Sequence, residues 1–136
     1  MQKYEFLEHT ADVMFVAYGK TFNELFENAA EALESTMVLL DGVAEAQSTA
    51  ITVSSDSCEN LLYDWLAELL IKFEVERFAV RKCFVRIVDL LLTADCLGET
   101  VDPRRHKLNT EVKAVTYHNL SIGKNDVYHA EITLDV

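Results

Sequence analysis

Two periodicities divide the chain. Short runs alternate apolar and polar residues, and longer stretches repeat an apolar residue every three or four positions. The first pattern puts successive side chains on opposite faces of a strand, and the second lines them along one side of a helix. Lys3 to Leu7 and Val13 to Gly19, rich in aromatic and β-branched residues, read as two strands. Thr21-Phe22-Asn23-Glu24 is a capping box, in which the Thr21 hydroxyl accepts from the Glu24 N–H and the Glu24 carboxylate reaches back. The helix it opens runs to about Leu39, with Phe22, Leu25, Phe26, Ala29, Ala30, Leu33 and Met37 on one stripe, and Asp41-Gly42 ends it.

Thr49 to Ser54 is the next strand. Ser55-Asp56-Ser57 then supplies N-cap oxygens to a second helix reaching about Phe73, with Leu62, Trp65, Leu66, Leu69, Leu70 and Phe73 along one side. Phe78 to Val88 sets Val80, Lys82, Phe84, Arg86 and Val88 against Arg81, Cys83, Val85 and Ile87, with Asp89 to Cys96 as its hairpin partner and Leu97-Gly98 turning the chain. Pro103 makes Asp102 to His106 a loop. Thr110 to Thr116 is a strand, Asn119 to Asp126 a connector, and Val127 to Val136 the last strand. In that strand Tyr128, Ala130, Ile132 and Leu134 face one way, and His129, Glu131, Thr133 and Asp135 the other. Trp65 and the phenylalanines are assigned to the core.

Strands therefore come first, in the middle and last, with two helices between, and short connections favour antiparallel pairing. The expected architecture is α+β: a single domain over residues 1–136, with two helices packed on a mostly antiparallel β-sheet. No repeat, low-complexity tract or linker interrupts it. No apolar run approaches the ~20 residues of a membrane span, so no membrane association is expected. The N-terminus reads as strand rather than signal peptide. Cys58, Cys83 and Cys96 form no C-x-x-C pair, which suggests neither a disulfide framework nor a zinc site and fits a reducing cytoplasm. The net charge of −11 repels phosphate backbones, so direct nucleic-acid binding is not expected, whereas a basic protein partner or a cation is favoured.

No nucleophile elbow, P-loop or dinucleotide-binding turn is present, and four glycines leave no phosphate-cradling loop. The carboxylates are more informative. Asp12 closes a polar knot between the first two strands, and Asp135 is penultimate, one residue from the α-carboxylate of Val136. Brought together, these groups would supply the oxygen ligands that Ca²⁺, Mg²⁺ or Mn²⁺ prefer, and a cation would relieve their mutual repulsion. Taken singly, Asp12 also reads as a turn acceptor and Asp135 as part of a solvated C-terminus. His9 reads as a hydrogen-bonded structural histidine or as a group orienting Asp12. Lys113 reads as a solvent-facing strand position, and Asp102, His106 and His118 carry no stronger signal.

Several stretches together resemble the archease family. Phe6-Leu7-Glu8-His9-Thr10-Ala11-Asp12 resembles its N-terminal signature, followed by Ala17-Tyr18-Gly19 with Thr21-Phe22. Glu59-Asn60-Leu61-Leu62-Tyr63-Asp64-Trp65-Leu66 resembles its second-helix motif. Gly98-Glu99, Val112-Lys113-Ala114-Val115-Thr116-Tyr117-His118 and Leu134-Asp135-Val136 resemble its later ones. The resemblance implies a protein cofactor of the RtcB-type tRNA-splicing RNA ligase, one that promotes the ligase's guanylylation and multiple turnover and is not itself a catalyst. It implies that Asp12, Asp135 and Val136 bind a divalent cation, calcium first, with manganese or magnesium as alternatives, and that Lys113 matters for activation. Two other readings stand beside it: a chaperone or protein-modulating module, which needs an exposed apolar patch, and a stand-alone metal-dependent hydrolase, which lacks an obvious nucleophile.

Overall fold

The computed structural model describes residues 1–8 and 11–136. Its elements are β1 (Tyr4–Leu7), β2 (Val13–Gly19), α1 (Phe22–Met37), β3 (Gln47–Ser54), α2 (Cys58–Glu76), β4 (Phe78–Val88), β5 (Leu91–Thr100), β6 (Ala114–Lys124) and β7 (Tyr128–Asp135), with a short 3₁₀ turn at Leu40–Gly42. Two helices pack on antiparallel strands, as expected, and the strands are divided between two sheets. One has the order β1-β2-β7-β6 and the other β3-β5-β4. The division reflects partner choice, which alternation along one strand does not encode.

The helix starts follow their caps. Thr21 Oγ1 accepts from the Glu24 N–H at 3.1 Å, and Glu24 Oε1 reaches one residue further back than a capping box requires, to the Lys20 N–H at 2.9 Å. Ser57 Oγ accepts from the Asn60 N–H at 3.1 Å and opens α2. The last carbonyls of α1 are satisfied from far along the chain: Asn109 N–H donates to Met37 O, Thr110 N–H to Thr36 O and Asn109 Nδ2 to Ser35 O. Thr110 is thus taken up in capping a helix, and β6 begins only at Ala114, although Thr110 to Thr116 reads as strand in the sequence.

Three further expectations are corrected. Leu97-Gly98 is not a turn, since β5 runs straight through it to Thr100. The hairpin turn is Asp89-Leu90, where both residues adopt positive φ (51° and 61°) between the paired Val88 and Leu91. Two positive-φ residues make the turn whose twist matches its strands, and the sequence hides it because neither is glycine. Asn119 to Asp126 is mostly strand rather than connector, with Ser121 to Lys124 paired to Glu131 through Tyr128. Phe6 and Phe84 are about half exposed, whereas Phe15, Phe26 and Trp65 are fully buried.

One apolar cluster draws on both helices and both sheets. Phe15, Ala130, Ile132 and Leu134 line the inner face of the first sheet, Cys83, Val85, Leu92, Ala94 and Cys96 that of the second, and α1 and α2 supply Leu25, Phe26, Leu33, Leu62, Trp65 and Leu69. Helix α1 also closes the open edge of β4. Asn23, Glu27 and Glu34, spaced to share one helix face, accept from the backbone N–H groups of Ile87 (3.2 Å), Val85 (2.8 Å) and Val80 (3.0 Å). An exposed row of unpaired N–H groups would be a template for strand addition, and here the helix occupies it. No helix among the described residues is long and apolar enough to cross a membrane.

Candidate functional site

The second and last strands are neighbours at the centre of their sheet. β2 pairs with β7 along its whole length, from Gly19 opposite Tyr128 to Val13 opposite Leu134. Asp12 immediately precedes Val13 and Asp135 immediately follows Leu134, so each aspartate adjoins one member of that end pair. Directly opposed antiparallel residues hold their Cβ atoms about 5 Å apart, so the Val13–Leu134 pair brings the two acidic segments to one end of the sheet. The start of β6 completes this corner. Ala114 pairs with Asp135, and the Lys113 N–H donates to the Asp135 carbonyl at 2.8 Å. The chain's two extremities and the Lys113 segment therefore meet, although nothing in their sequence spacing links them.

Asp12 is half-buried, Asp135 and Lys113 are exposed, and Val136 is half-buried with its side chain against the main core. His9 lies outside the described residues. Carboxylate oxygens such as those of Asp12 and Asp135 are hard donors, the chemistry that suits calcium, magnesium or manganese. Among the described residues no group of three or more His, Cys, Asp and Glu side chains is gathered for a metal. A cation at this corner would therefore complete its shell from the main chain and solvent, a mode open to calcium and magnesium and foreign to structural zinc.

Thr133 sits one row inside Asp135 on the same face, opposite Met14 and Thr116. Its hydroxyl is buried with no hydrogen-bond partner among the described residues, while Thr116 Oγ1 donates to the Thr133 carbonyl at 3.0 Å. Replacing Thr133 by Val, which keeps the shape and removes the unpaired group, is expected to leave stability unchanged or raise it by up to about 1–2 kcal/mol, read as the midpoint of denaturant unfolding.

The other sequence candidates have structural tasks. His106 is buried, accepts the Asp102 N–H at Nδ1 (2.8 Å), and faces Glu99 Oε2 across 2.9 Å from Nε2, an arrangement that puts its proton on Nε2. Glu99 also accepts from the Ala44 N–H at 2.7 Å and from Arg105 at 2.7 Å. These donors, Ala44 first, then Arg105 and His106, pull its carboxyl pKa down to about 2. The network fastens the Pro103 loop to the turn after α1. It was not foreseen, although Gly98-Glu99 already stood out in sequence. His118 is exposed on β6.

Two further features were missed. Glu34 is fully buried within the apolar stripe of α1. Burial pushes its carboxyl pKa up to about 8 against the opposing hydrogen bond from the Val80 N–H, and Oε2 has no partner among the described residues. The signal was available, since Ala30, Glu34 and Met37 share the stripe at helical spacing. The second is a face-to-face stack of Tyr63 on α2 and Tyr117 on β6, with centroids 4.0 Å apart and planes 10° from parallel. No local pattern joins those positions.

Comparison with known proteins agrees with this architecture. The chain is 38% identical over 99% of its length to protein archease of Methanosarcina acetivorans, covering 97% of that protein, and 38% identical to that of Sulfurisphaera tokodaii over the full length of both. The solution structure of Methanobacterium thermoautotrophicum protein 1598 superposes with a TM-score of 0.83 at 33% identity, covering all of both chains. The crystal structure of an archease, possible chaperone, from Thermotoga maritima shares the fold with a TM-score of 0.68 at 21% identity, over 96% of this chain and 94% of that one. Residues 4–136 match the Archease protein family (MTH1598/TM1083), and the chain belongs to that family.

Proposed function

We propose that the chain activates an RtcB-type tRNA-splicing RNA ligase, promoting its guanylylation and multiple turnover, and that the corner formed by Asp12, Asp135 and Val136 does so by holding a divalent cation. The observation that supports this reading is the β2–β7 register, whose end pair, Val13 with Leu134, joins the chain neighbours of Asp12 and Asp135. A bound cation would neutralise developing charge on phosphate oxygens. The chain's own residues would position and present that charge: the antiparallel ladder holds Val13 and Leu134, next to the two carboxylates, the Lys113 N–H holds the last residue of β7 by its carbonyl, and the exposed Lys113 side chain would meet an anionic group. An acidic corner on a chain of net charge −11 complements a basic, RNA-binding cleft and orients the approach. The nucleotide and the reacting histidine belong to the ligase, so the chain acts without catalysing a reaction itself. In a reducing cytoplasm its three cysteines would remain free, as they are in this fold.

The test is a multiple-turnover ligation assay with the cognate ligase. Asp12→Ala and Asp135→Ala are expected to lower stimulation by about 10–100-fold or more with unchanged circular dichroism. A chelator is expected to mimic them, with calcium, manganese or magnesium restoring activity to the wild type alone. Stimulation by both folded variants at the wild-type level would overturn the reading.

A chaperone module is the second reading. It draws on Val88 and Leu91, exposed and paired beside the β4–β5 turn, with Phe84 further along β4. Three such residues fall short of the contiguous apolar surface that client binding requires.

A further inference from the structure

The Tyr63–Tyr117 stack lies outside the acidic corner and has no task in it. Between Thr116, paired with Thr133, and Ser121, paired with Glu131, the β6 ladder is broken, so Tyr117 to Leu120 stand out of register, with Asn119 at φ 55°. The bulge swings Tyr117 over α2. One face of its ring rests on Tyr63, yet Tyr117 is 55% exposed. Most buried aromatic pairs contribute to a core, but this one has an open face. Two carboxylates belong to the segment that carries Tyr63: Asp64 is its chain neighbour on α2 and Asp56 precedes that helix. Asp64 accepts from Ser55 Oγ at 2.5 Å and Asp56 accepts from Asn60 Nδ2 at 2.7 Å, so each is held by one oxygen. Their charges, Asp64 before Asp56, add to burial in raising the pKa of the Tyr117 hydroxyl.

An exposed π-face stacked on a helix that carries hydrogen-bonded carboxylates next to the stacking residue selects for one ligand chemistry. A planar cation can stack on the ring and donate in its own plane to the acids, which is what a guanidinium does. A nucleobase could use the same ring, but its phosphates would meet Asp56, Asp64 and the chain's overall charge of −11. A lysine would gain the charge contact without the stacking. The geometry points to Tyr117, with Asp56 and Asp64, as a receptor for an arginine side chain of the protein partner. The bulge that presents the ring begins three residues after Ala114, on the strand whose first residue flanks Asp135. At about 3.3 Å per residue, the receptor and the acidic corner can engage one partner surface together. This step rests on the proposed function, which supplies the ligase as that partner. Tyrosine and arginine recur together at interface hot spots because both give large contact with little loss of side-chain freedom.

Two experiments decide it, and the first does not involve the ligase. The isolated chain is titrated with the peptide acetyl-Gly-Arg-Gly-amide, its lysine counterpart and a short single-stranded oligoribonucleotide, with the tyrosine ring resonances followed by NMR. The arginine peptide is expected to shift the Tyr117 and Tyr63 rings saturably at ~1–10 mM, more than the lysine peptide. The shift should be absent in Tyr117→Ala, retained in Tyr117→Phe and weakened in Asp64→Asn. Ring shifts with the oligoribonucleotide and none with the arginine peptide would overturn the proposal in favour of a base platform, and no shift with either would overturn it outright. In the second experiment, Tyr117→Ala is expected to raise the Kd for the cognate ligase by about tenfold, with Tyr117→Phe near wild type. An unchanged Kd for Tyr117→Ala, alongside lost stimulation in Asp135→Ala, would sink the receptor and leave the proposed function standing. Undiminished stimulation in Asp12→Ala and Asp135→Ala sinks the proposed function while the peptide titration still reads the receptor.

Discussion

Replacing Glu34 by Gln is expected to change the sign of its effect on stability with pH. In the folded chain the carboxyl is fully buried and holds its proton to about pH 8, whereas the unfolded chain releases it near the ordinary value of 4.5. Between those limits the folded state binds the extra proton, so raising the pH disfavours folding. Below the unfolded pKa the group carries no such penalty. The penalty grows as pH climbs and is complete above the folded pKa. Its full size follows from the displacement, roughly 4–5 kcal/mol by pH 9, a large share of the 5–15 kcal/mol that holds a typical domain together. Gln keeps an oxygen for the Val80 N–H, now bonded at 3.0 Å to Oε1, and cannot ionise. It puts an amide NH₂ where Oε2 has no partner among the described residues, which costs about 1–3 kcal/mol. Glu34→Gln should therefore be slightly less stable than wild type at pH 5, clearly more stable at pH 9, and should flatten the profile between. Urea denaturation at the two pH values reads this directly. A wild-type profile flat from pH 5 to 9 would show that the buried carboxyl is ionised throughout.

Gly98→Ala should be the most damaging single-methyl change in the chain. Gly98 faces Val80 across the β4–β5 ladder, at the point where Arg81 bulges out of register. A Cβ built on Gly98 would stand 1.8 Å from the Ala79 carbonyl oxygen and 2.9 Å from its carbon. The obstacle is backbone, so no rotamer change relieves it, and strand separation would also disturb the neighbouring Glu99 and its bonds to Ala44, Arg105 and His106. Overpacking of flexible surroundings costs about 1–3 kcal/mol, and a rigid pair of strands should exceed that. The expected result is a large drop in unfolding midpoint or no soluble folded chain. A midpoint within a degree of wild type would mean that the bulge is adaptable.

Gly98 also shows how a sequence signal can be sound while its meaning differs. A lone glycine after an alternating run reads as a turn, and here it marks a close backbone approach inside a central strand. The reverse happened at Asp89-Leu90, where a real turn carries no turn residue. The start of β6 differs for a related reason: residues 110–113 alternate acceptably, yet the Thr110 N–H is claimed by the end of α1 and regular pairing starts only at Ala114. The candidate corner was more legible, because Asp12 and Asp135 lie at the ends of recognisable strands and their chemistry suggests a hard cation. Glu99, Glu34 and Tyr117 were less so, since each is defined by groups remote in sequence.

What the sequence determines by itself is local or compositional. The capping residues Thr21 and Ser57, the helical stripes, the period-two runs and the strong acidity follow from rules that operate within a few residues. The tertiary structure alone decides which strand lies beside which. It divides the strands into two sheets, presses Asn23, Glu27 and Glu34 of α1 against the edge of β4, and lays the last strand along the second. Those choices depend on burying every apolar face at once while leaving no backbone group unpaired, a condition on the whole chain that no window of residues contains.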